Sequence, residues 1–142
     1  MNSQPCIKEF SIVNQIDELT RVSEWLEQLG EELELPISLV LSLNLVLEEA
    51  LTNTIQYGYS DEYPHKIQIR FEKADELVTF VLTDDGCAYD PTLKTDADIT
   101  LSADERPIGG LGILLMKKIM NTIEYQRKEN SNILTLKKII NQ

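Results

Sequence analysis

Three short segments of this 142-residue chain carry side chains that could do chemistry together. The first is Leu47-Glu48-Glu49-Ala50-Leu51-Thr52-Asn53. On a helix turning about 100° per residue, positions i and i+4 are neighbours, so Glu49 and Asn53 point the same way. A carboxylate and a carboxamide at the edge of an apolar stripe are well placed to line a cleft. The same spacing, taken alone, also suits a solvated helix flank. The second segment runs from Val81 to Pro91 through Thr83-Asp84-Asp85-Gly86. An Asp buried at a strand end can accept a hydrogen bond from an exocyclic amine. Gly86 would let a flat base come close to the backbone, although Asp-Asp-Gly also makes an ordinary turn. The third is Gly109-Gly110-Leu111-Gly112. Opening a helix, it would leave several N–H groups free at a positive helix end, which suits phosphate. It also suits a flexible linker. It is not a P-loop, since no G-x-x-x-x-G-K-[ST] occurs, nor a dinucleotide fingerprint, since no strand directly precedes it.

Hydrophobic periodicity shows what must position these segments. Ile7, Phe10, Ile12 and Val13 predict a first strand. Residues Gln15 to Glu32 predict an amphipathic helix, with Ile16, Leu19, Val22, Leu26 and Leu29 at steps of three and four. Pro36 opens a second helix that runs to Tyr57 and stops at Gly58. Its apolar stripe is Leu39, Leu43, Val46, Ala50, Thr54 and Tyr57. Strands follow over Lys66–Phe71 and Leu77–Thr83, with Lys73–Glu76 as their hairpin. Asp84 to Ile108 has little periodicity, and a stretch of that length inside a compact domain is usually functional or disordered. Bounded by glycines, it reads as a lid over about residues 87–109. A third helix spans Leu111–Asn121, and strands Thr122–Arg127 and Ile133–Ile140 close the chain around the turn Lys128–Asn132. The order β-α-α-β-β-lid-α-β-β predicts an α+β single domain over residues 1–142, with helices on one face of a mostly antiparallel sheet.

Composition narrows the partners. A net charge of −11 repels a phosphate backbone, so direct nucleic-acid binding is not expected. Local amides and a metal ion can still hold a nucleotide against that field, and the acidity suits a partner with a basic face. No apolar run approaches the ~20 residues a bilayer span needs. The first residues show no basic stretch followed by an apolar one, so no signal peptide and a cytoplasmic location are expected. Cys6 and Cys87 make neither a disulfide framework nor a zinc pattern. Cys87 lies in a turn-like segment and should be accessible. His65 is the only histidine and is expected at the surface.

Each segment is modest alone, but their order and spacing are not. Glu-x-x-x-Asn on a helix, Asp-x-Gly after a strand, a lid and then Gly-Gly-x-Gly opening a helix resemble the N, G1 and G2 boxes of the GHKL ATPases, whose fold is the Bergerat two-layer α/β sandwich with a mixed, mostly antiparallel sheet and an ATP lid. Over roughly residues 10 to 140 the chain resembles the bacterial anti-sigma-factor serine/threonine kinases. The resemblance rests on Leu45-Val46-Leu47-Glu48-Glu49-Ala50-Leu51-Thr52-Asn53, on Asp84-Asp85-Gly86 with Asp90-Pro91, and on Gly110-Leu111-Gly112 with Met120-Asn121 and Glu124-Tyr125.

The resemblance implies ATP and Mg²⁺ as cofactors. It puts the metal on Asn53 and the base that orients or deprotonates the attacking hydroxyl on Glu49. It puts the adenine amine on Asp84 and the base against Gly86. Gly110, Leu111 and Gly112 fall on the phosphate-binding turn, with Gly109 aiding lid movement. Arg106 falls in the lid, where an arginine could meet the terminal phosphate. The implied function is phosphorylation of a STAS-domain anti-anti-sigma partner by a protein that also sequesters a sigma factor, with a homodimer through the sheet side. The alternatives are an ATP-binding partner-switching module without phosphotransfer, and an anti-sigma scaffold without nucleotide. Four positions depart from the family. Tyr57 stands where His is frequent, Asn121 where Asp is frequent, and Ser131 replaces a Gly before the last strand. Asn132 falls near an adenine-side threonine of many relatives. The lack of a helical hairpin carrying a phosphoacceptor histidine disfavours a sensor histidine kinase.

Overall fold

A computed structural model describes residues 4–93 and 110–140. β1 is Cys6–Val13, α1 Leu19–Glu32, α2 Ile37–Tyr57, β2 Lys66–Ala74, β3 Leu77–Asp84, α3 Gly110–Ile119, β4 Thr122–Lys128 and β5 Ser131–Ile139. Residues Ile16–Glu18, expected as the first turn of α1, form a 3-10 turn instead. The Glu18 carboxylate accepts the Val13 N–H at 3.0 Å, which ties this turn to the end of β1. That bond, with help from Arg21, holds the Glu18 carboxyl below its ordinary range.

The five strands form one sheet in the order β1-β2-β3-β5-β4. All four pairings are antiparallel, in keeping with the mostly antiparallel sheet expected, and no parallel pairing makes it mixed among the described residues. The connection through α3 does bring β4 back in the direction of β3, as a one-helix crossover does. β5 then inserts between them and pairs antiparallel with both. The β4–β5 turn has Glu129 and Asn130 at φ 50° and 66°, the signature of a two-residue hairpin whose twist matches its strands. It is tighter than the five-residue turn expected, because β5 begins at Ser131 and takes Asn132 into the sheet.

Register explains why one face is dry. Ile12 faces Ile67, Ile69 faces Leu82, and Phe71, Phe80 and Leu136 lie side by side across three strands. Directly opposed residues of an antiparallel pair share a face. That face packs on Val22, Leu26 and Leu29 of α1, on Leu39, Leu43, Val46, Leu47 and Leu51 of α2, and on Ile113, Met116 and Met120 of α3. α1 and α2 approach closely because Gly30 has no side chain: a Cβ there would stand 2.6 Å from Cγ2 of Val40. The α2 stripe departs from expectation at its end. Asn53 is 5% exposed and in the core, while Tyr57 is 39% exposed. α3 ends at Ile119, two residues early. Asn121 instead donates its N–H to the Lys137 carbonyl and accepts the Ile139 N–H, which bridges to β5.

Candidate functional site

The site lies where α2, the end of β3, α3 and the β4–β5 hairpin meet. A cavity of ≈ 30 Å³ there is walled by Asn53, Asp84, Tyr89, Met116, Tyr125 and Asn132, among others. The fold thus brings together the first two segments singled out in the sequence, with α3 alongside. Larger hollows of ≈ 410 and ≈ 420 Å³ are surface furrows that share no lining residue with this cavity. At ≈ 30 Å³ the gap has room for about two waters, so a planar base enters only if a wall gives way. Met116, an unbranched side chain on α3, is the wall best able to move.

Asp84 is buried at the last position of β3. Its Oδ1 accepts two hydrogen bonds, from the Gly86 N–H at 2.8 Å and from Nδ2 of Asn132 at 2.9 Å. Oδ2 has no partner among the described residues, so one oxygen is anchored and the other is open to a donor. Asn132 is the fixed point of this wall. Its Nδ2 also donates to the Cys87 carbonyl at 2.8 Å, and its Oδ1 accepts from the Tyr125 hydroxyl and from the Tyr89 N–H. Those partners settle which end of the amide is which. The departure at Asn132 therefore leaves the aspartate supported: the amide supplies a donor where a threonine hydroxyl would have done so. Arg127 closes the turn by donating to the Gly86 carbonyl at 2.7 Å. Nothing in the local sequence pattern marks Arg127, and only the β4–β5 hairpin brings it within reach.

Gly86 is held from the other side. The Gly58 carbonyl accepts the Cys87 N–H at 2.7 Å, and a Cβ on Gly86 would meet that carbonyl oxygen at 2.6 Å. The glycine is thus demanded by packing against the C-terminal end of α2. Cys87 is exposed, as expected, and its Sγ leans on the Tyr57 carbonyl at 3.3 Å.

His65 sits deeper than a surface residue. Its side chain is 20% exposed and stacks on Tyr59 with ring centroids 4.4 Å apart. Its Nε2 lies 2.8 Å from Asp61 and its Nδ1 3.3 Å from Asp85. Asp61 first, then Asp85, raises the imidazole pKa above its ordinary 6.5, and the same pairing lowers that of Asp61. Burial pushes the Tyr59 phenol upward, and the charges of Asp84 and Asp85 add to this.

On α2, Glu49 is half-buried and Asn53 buried one turn later, as the helical spacing requires. Asn53 Nδ2 has no hydrogen-bond partner among the described residues. A buried amide left unsatisfied costs about 1–3 kcal/mol, so this donor is placed for an acceptor that none of the described residues supplies. Gly110, Leu111 and Gly112 form the first turn of α3, with Lys117 and Lys118 in its last turn. Free amides therefore begin the helix at Gly110, and Ile113 and Met116 of that helix line the cavity. Arg106 and Gly109 lie outside the described residues. So does most of the expected lid. Its first residues are tied down, by the Tyr89 bond to Asn132 and by Thr92 capping on the Asp90 carboxylate at 2.9 Å before the 3-10 turn Pro91–Leu93.

Among the described residues no group of three or more His, Cys, Asp or Glu is arranged to hold a metal. A divalent ion here would have to rest on few protein ligands, a habit of magnesium beside phosphates. The carboxamide oxygen of Asn53 is a ligand of the right type, while its Nδ2, the atom without a partner, calls for an acceptor such as a phosphate oxygen.

Comparison with known proteins gives the family and the fold. The serine/threonine-protein kinase BtrW of Bordetella bronchiseptica is 31% identical over 112 residues, covering 79% of each chain. The serine-protein kinase RsbW of Bacillus velezensis is 26% identical over 100 residues, and there the match spans 62% of that protein. The anti-sigma F factor of Clostridium novyi is 24% identical over 102 residues, covering 70% of this chain and 71% of that one. Among solved structures, the RsbU and RsbW domains of Rv1364c from Mycobacterium tuberculosis share the fold with a TM-score of 0.68 at 14% identity, over 97% of this chain and 33% of that one. The pattern of the histidine kinase-like ATPase domain matches residues 12–138, and the chain belongs to that family.

Proposed function

We propose that this chain is an ATP-dependent serine/threonine protein kinase that acts as an anti-sigma factor and phosphorylates a STAS-domain anti-anti-sigma partner. One observation carries the reading. A buried carboxylate with one anchored and one open oxygen, Asp84, shares a cavity with an unsatisfied buried amide, Asn53, one helical turn from a carboxylate, Glu49. The names of the relatives, BtrW, RsbW and anti-sigma F factor, support the same activity.

Each residue then has a task. Asp84 accepts the amine of adenine through Oδ2, which a 6-oxo purine could not offer. Asn132 and Gly86 hold Asp84 in that orientation. The α3 amides from Gly110 to Gly112 face the phosphates, and the Asn53 carboxamide oxygen holds the cation. ATP supplies the phosphoryl group, and Mg²⁺ offsets its charge. Glu49 orients the acceptor hydroxyl and takes its proton as the oxygen attacks. The mixture of positioning and charge stabilisation is what phosphoryl transfer requires, since little covalent chemistry falls to the protein.

The test is transfer from γ-labelled Mg-ATP to purified STAS-domain proteins of the source organism. Label on a serine or threonine of that protein is expected. Nucleotide binding without transfer would leave a partner-switching module, and no binding at millimolar ADP would leave an anti-sigma scaffold.

A further inference from the structure

α2 carries an apolar row that the core does not use. Ile37, Leu41 and Leu45 are 79%, 60% and 49% exposed. They recur every four residues, so on a helix they form one row, and the next two members of that row are Glu49 and Asn53. Four residues advance a helix by one turn plus about 40°, so the row winds gradually around the axis. Its burial follows that drift, from open at Ile37 to half-buried at Glu49 and 5% exposed at Asn53. The row is thus a continuous track from the outer surface into the site. At about 1.5 Å per residue, Leu45 lies about 6 Å along the axis from Glu49, and Ile37 about 18 Å.

The track has an acidic margin. A furrow of ≈ 420 Å³ beside Ile37 and Leu41 is lined by Glu27, Glu31 and Glu34 and by no basic residue. All three glutamates are exposed, as is Glu48 beside Leu45. A second copy of this chain would set the same carboxylates against each other if it docked here isologously, in a protein already at −11. An anionic lipid surface would be repelled for the same reason.

We propose that this row is where the acceptor protein docks, through an apolar patch rimmed by Lys or Arg and next to its acceptor hydroxyl. The inference rests on the kinase reading for the identity of the occupant. Docking at Leu41 and Leu45 sets the hydroxyl at Glu49 without using the nucleotide pocket, so affinity for the acceptor and affinity for ATP are separable.

The experiment uses as probe the fluorescently labelled STAS-domain protein of the source organism that wild type binds, with anisotropy read in ADP. Leu41→Glu keeps a good helix former at an exposed position, so the fold is retained. It should weaken probe binding at least about tenfold, as loss of an apolar anchor does. Glu31→Lys should weaken it by a smaller factor that shrinks with added salt. In both variants ADP affinity by calorimetry stays at the wild-type value, and in transfer assays KM for the acceptor rises while kcat holds. Wild-type binding of the probe by Leu41→Glu overturns the proposal, as does a change in sedimented mass that marks the row as a self-contact. Wild-type protein that binds the probe, loses it in Leu41→Glu and transfers no phosphate overturns the kinase reading alone.

Discussion

The two ends of the site are built on opposite principles. At the Asp84 end the turn is locked by protein partners and one carboxylate oxygen is left for a ligand: Asn132 alone joins Asp84, Cys87, Tyr89 and Tyr125, and Arg127 and Gly58 pin the turn. At the Asn53 end a buried amide is left unsatisfied beside a helix that begins with glycine amides. The difference teaches what each end is for. Recognition of a neutral heterocycle needs a rigid donor–acceptor pattern, because a site that holds its polar groups in place rejects the wrong base by leaving them unpaired. Handling of phosphate and a cation needs groups that the protein does not itself satisfy, so that the ligand's charge completes them.

That contrast can be broken from either side. The largest expected effect is Glu49→Gln, which removes the proton acceptor at the open end. Phosphoryl transfer should fall by about 10²–10⁴ while ADP affinity stays within about threefold, read by single-turnover labelling and calorimetry. Equal loss of both would mean that Glu49 supports the pocket and not the reaction. Next is Asn132→Asp at the closed end. It removes the donors to Asp84 and to the Cys87 carbonyl and sets two buried carboxylates together. ADP affinity should drop about 10- to 100-fold, or about 1.4–2.7 kcal/mol, and more for ADP than for inorganic phosphate alone. An unchanged affinity would show that Asp84 needs no support.

Gly86→Ala sharpens the comparison by asking whether the closed end is rigid. The new Cβ would meet the Gly58 carbonyl at 2.6 Å and Asp84 Oδ1 at 3.0 Å, both groups that cannot rotate away cheaply. A loss of about 1–3 kcal/mol is expected in chemical denaturation. Wild-type stability would mean that the turn yields.

The smallest effect belongs to His65, behind the closed end. Its folded pKa is raised, so its pairing contributes stability below the ordinary 6.5 and loses it as pH rises through the folded value. Asp61 is lowered, so its share is lost as pH falls through a value below its ordinary 3.8. The difference in denaturation midpoint between wild type and His65→Gln should therefore be larger at pH 5 than at pH 8.5. Tyr59 stacks on the ring and Asp85 faces it from the turn, so a gap that ignores pH would assign the cluster to stacking alone.

Much of this was legible in the chain, for reasons particular to the residues. Apolar residues at steps of three and four marked α1 and α2, because one buried helix face leaves a strong pattern, and β2 and β3 do alternate in burial. Glu49 and Asn53 were legible because a helix alone sets their relation. The 3-10 turn at Ile16 was not, because the bond from Val13 to Glu18 that shapes it spans two elements. Tyr57 looked apolar and periodic, but it is 39% exposed at the end of α2.

The sequence by itself determined the elements, the three segments and their order, since each depends on neighbours within about a turn or a strand. It also put Ile37, Leu41 and Leu45 on one row with Glu49. Only the tertiary structure decided that this row stays uncovered, that β5 slips between β3 and β4, and that Asn132 and Arg127 close on the Asp84 turn. The last two depend on pairing residues 41 to 62 apart, from Arg127 with Gly86 to Leu77 with Ile139, and no local periodicity encodes such a meeting.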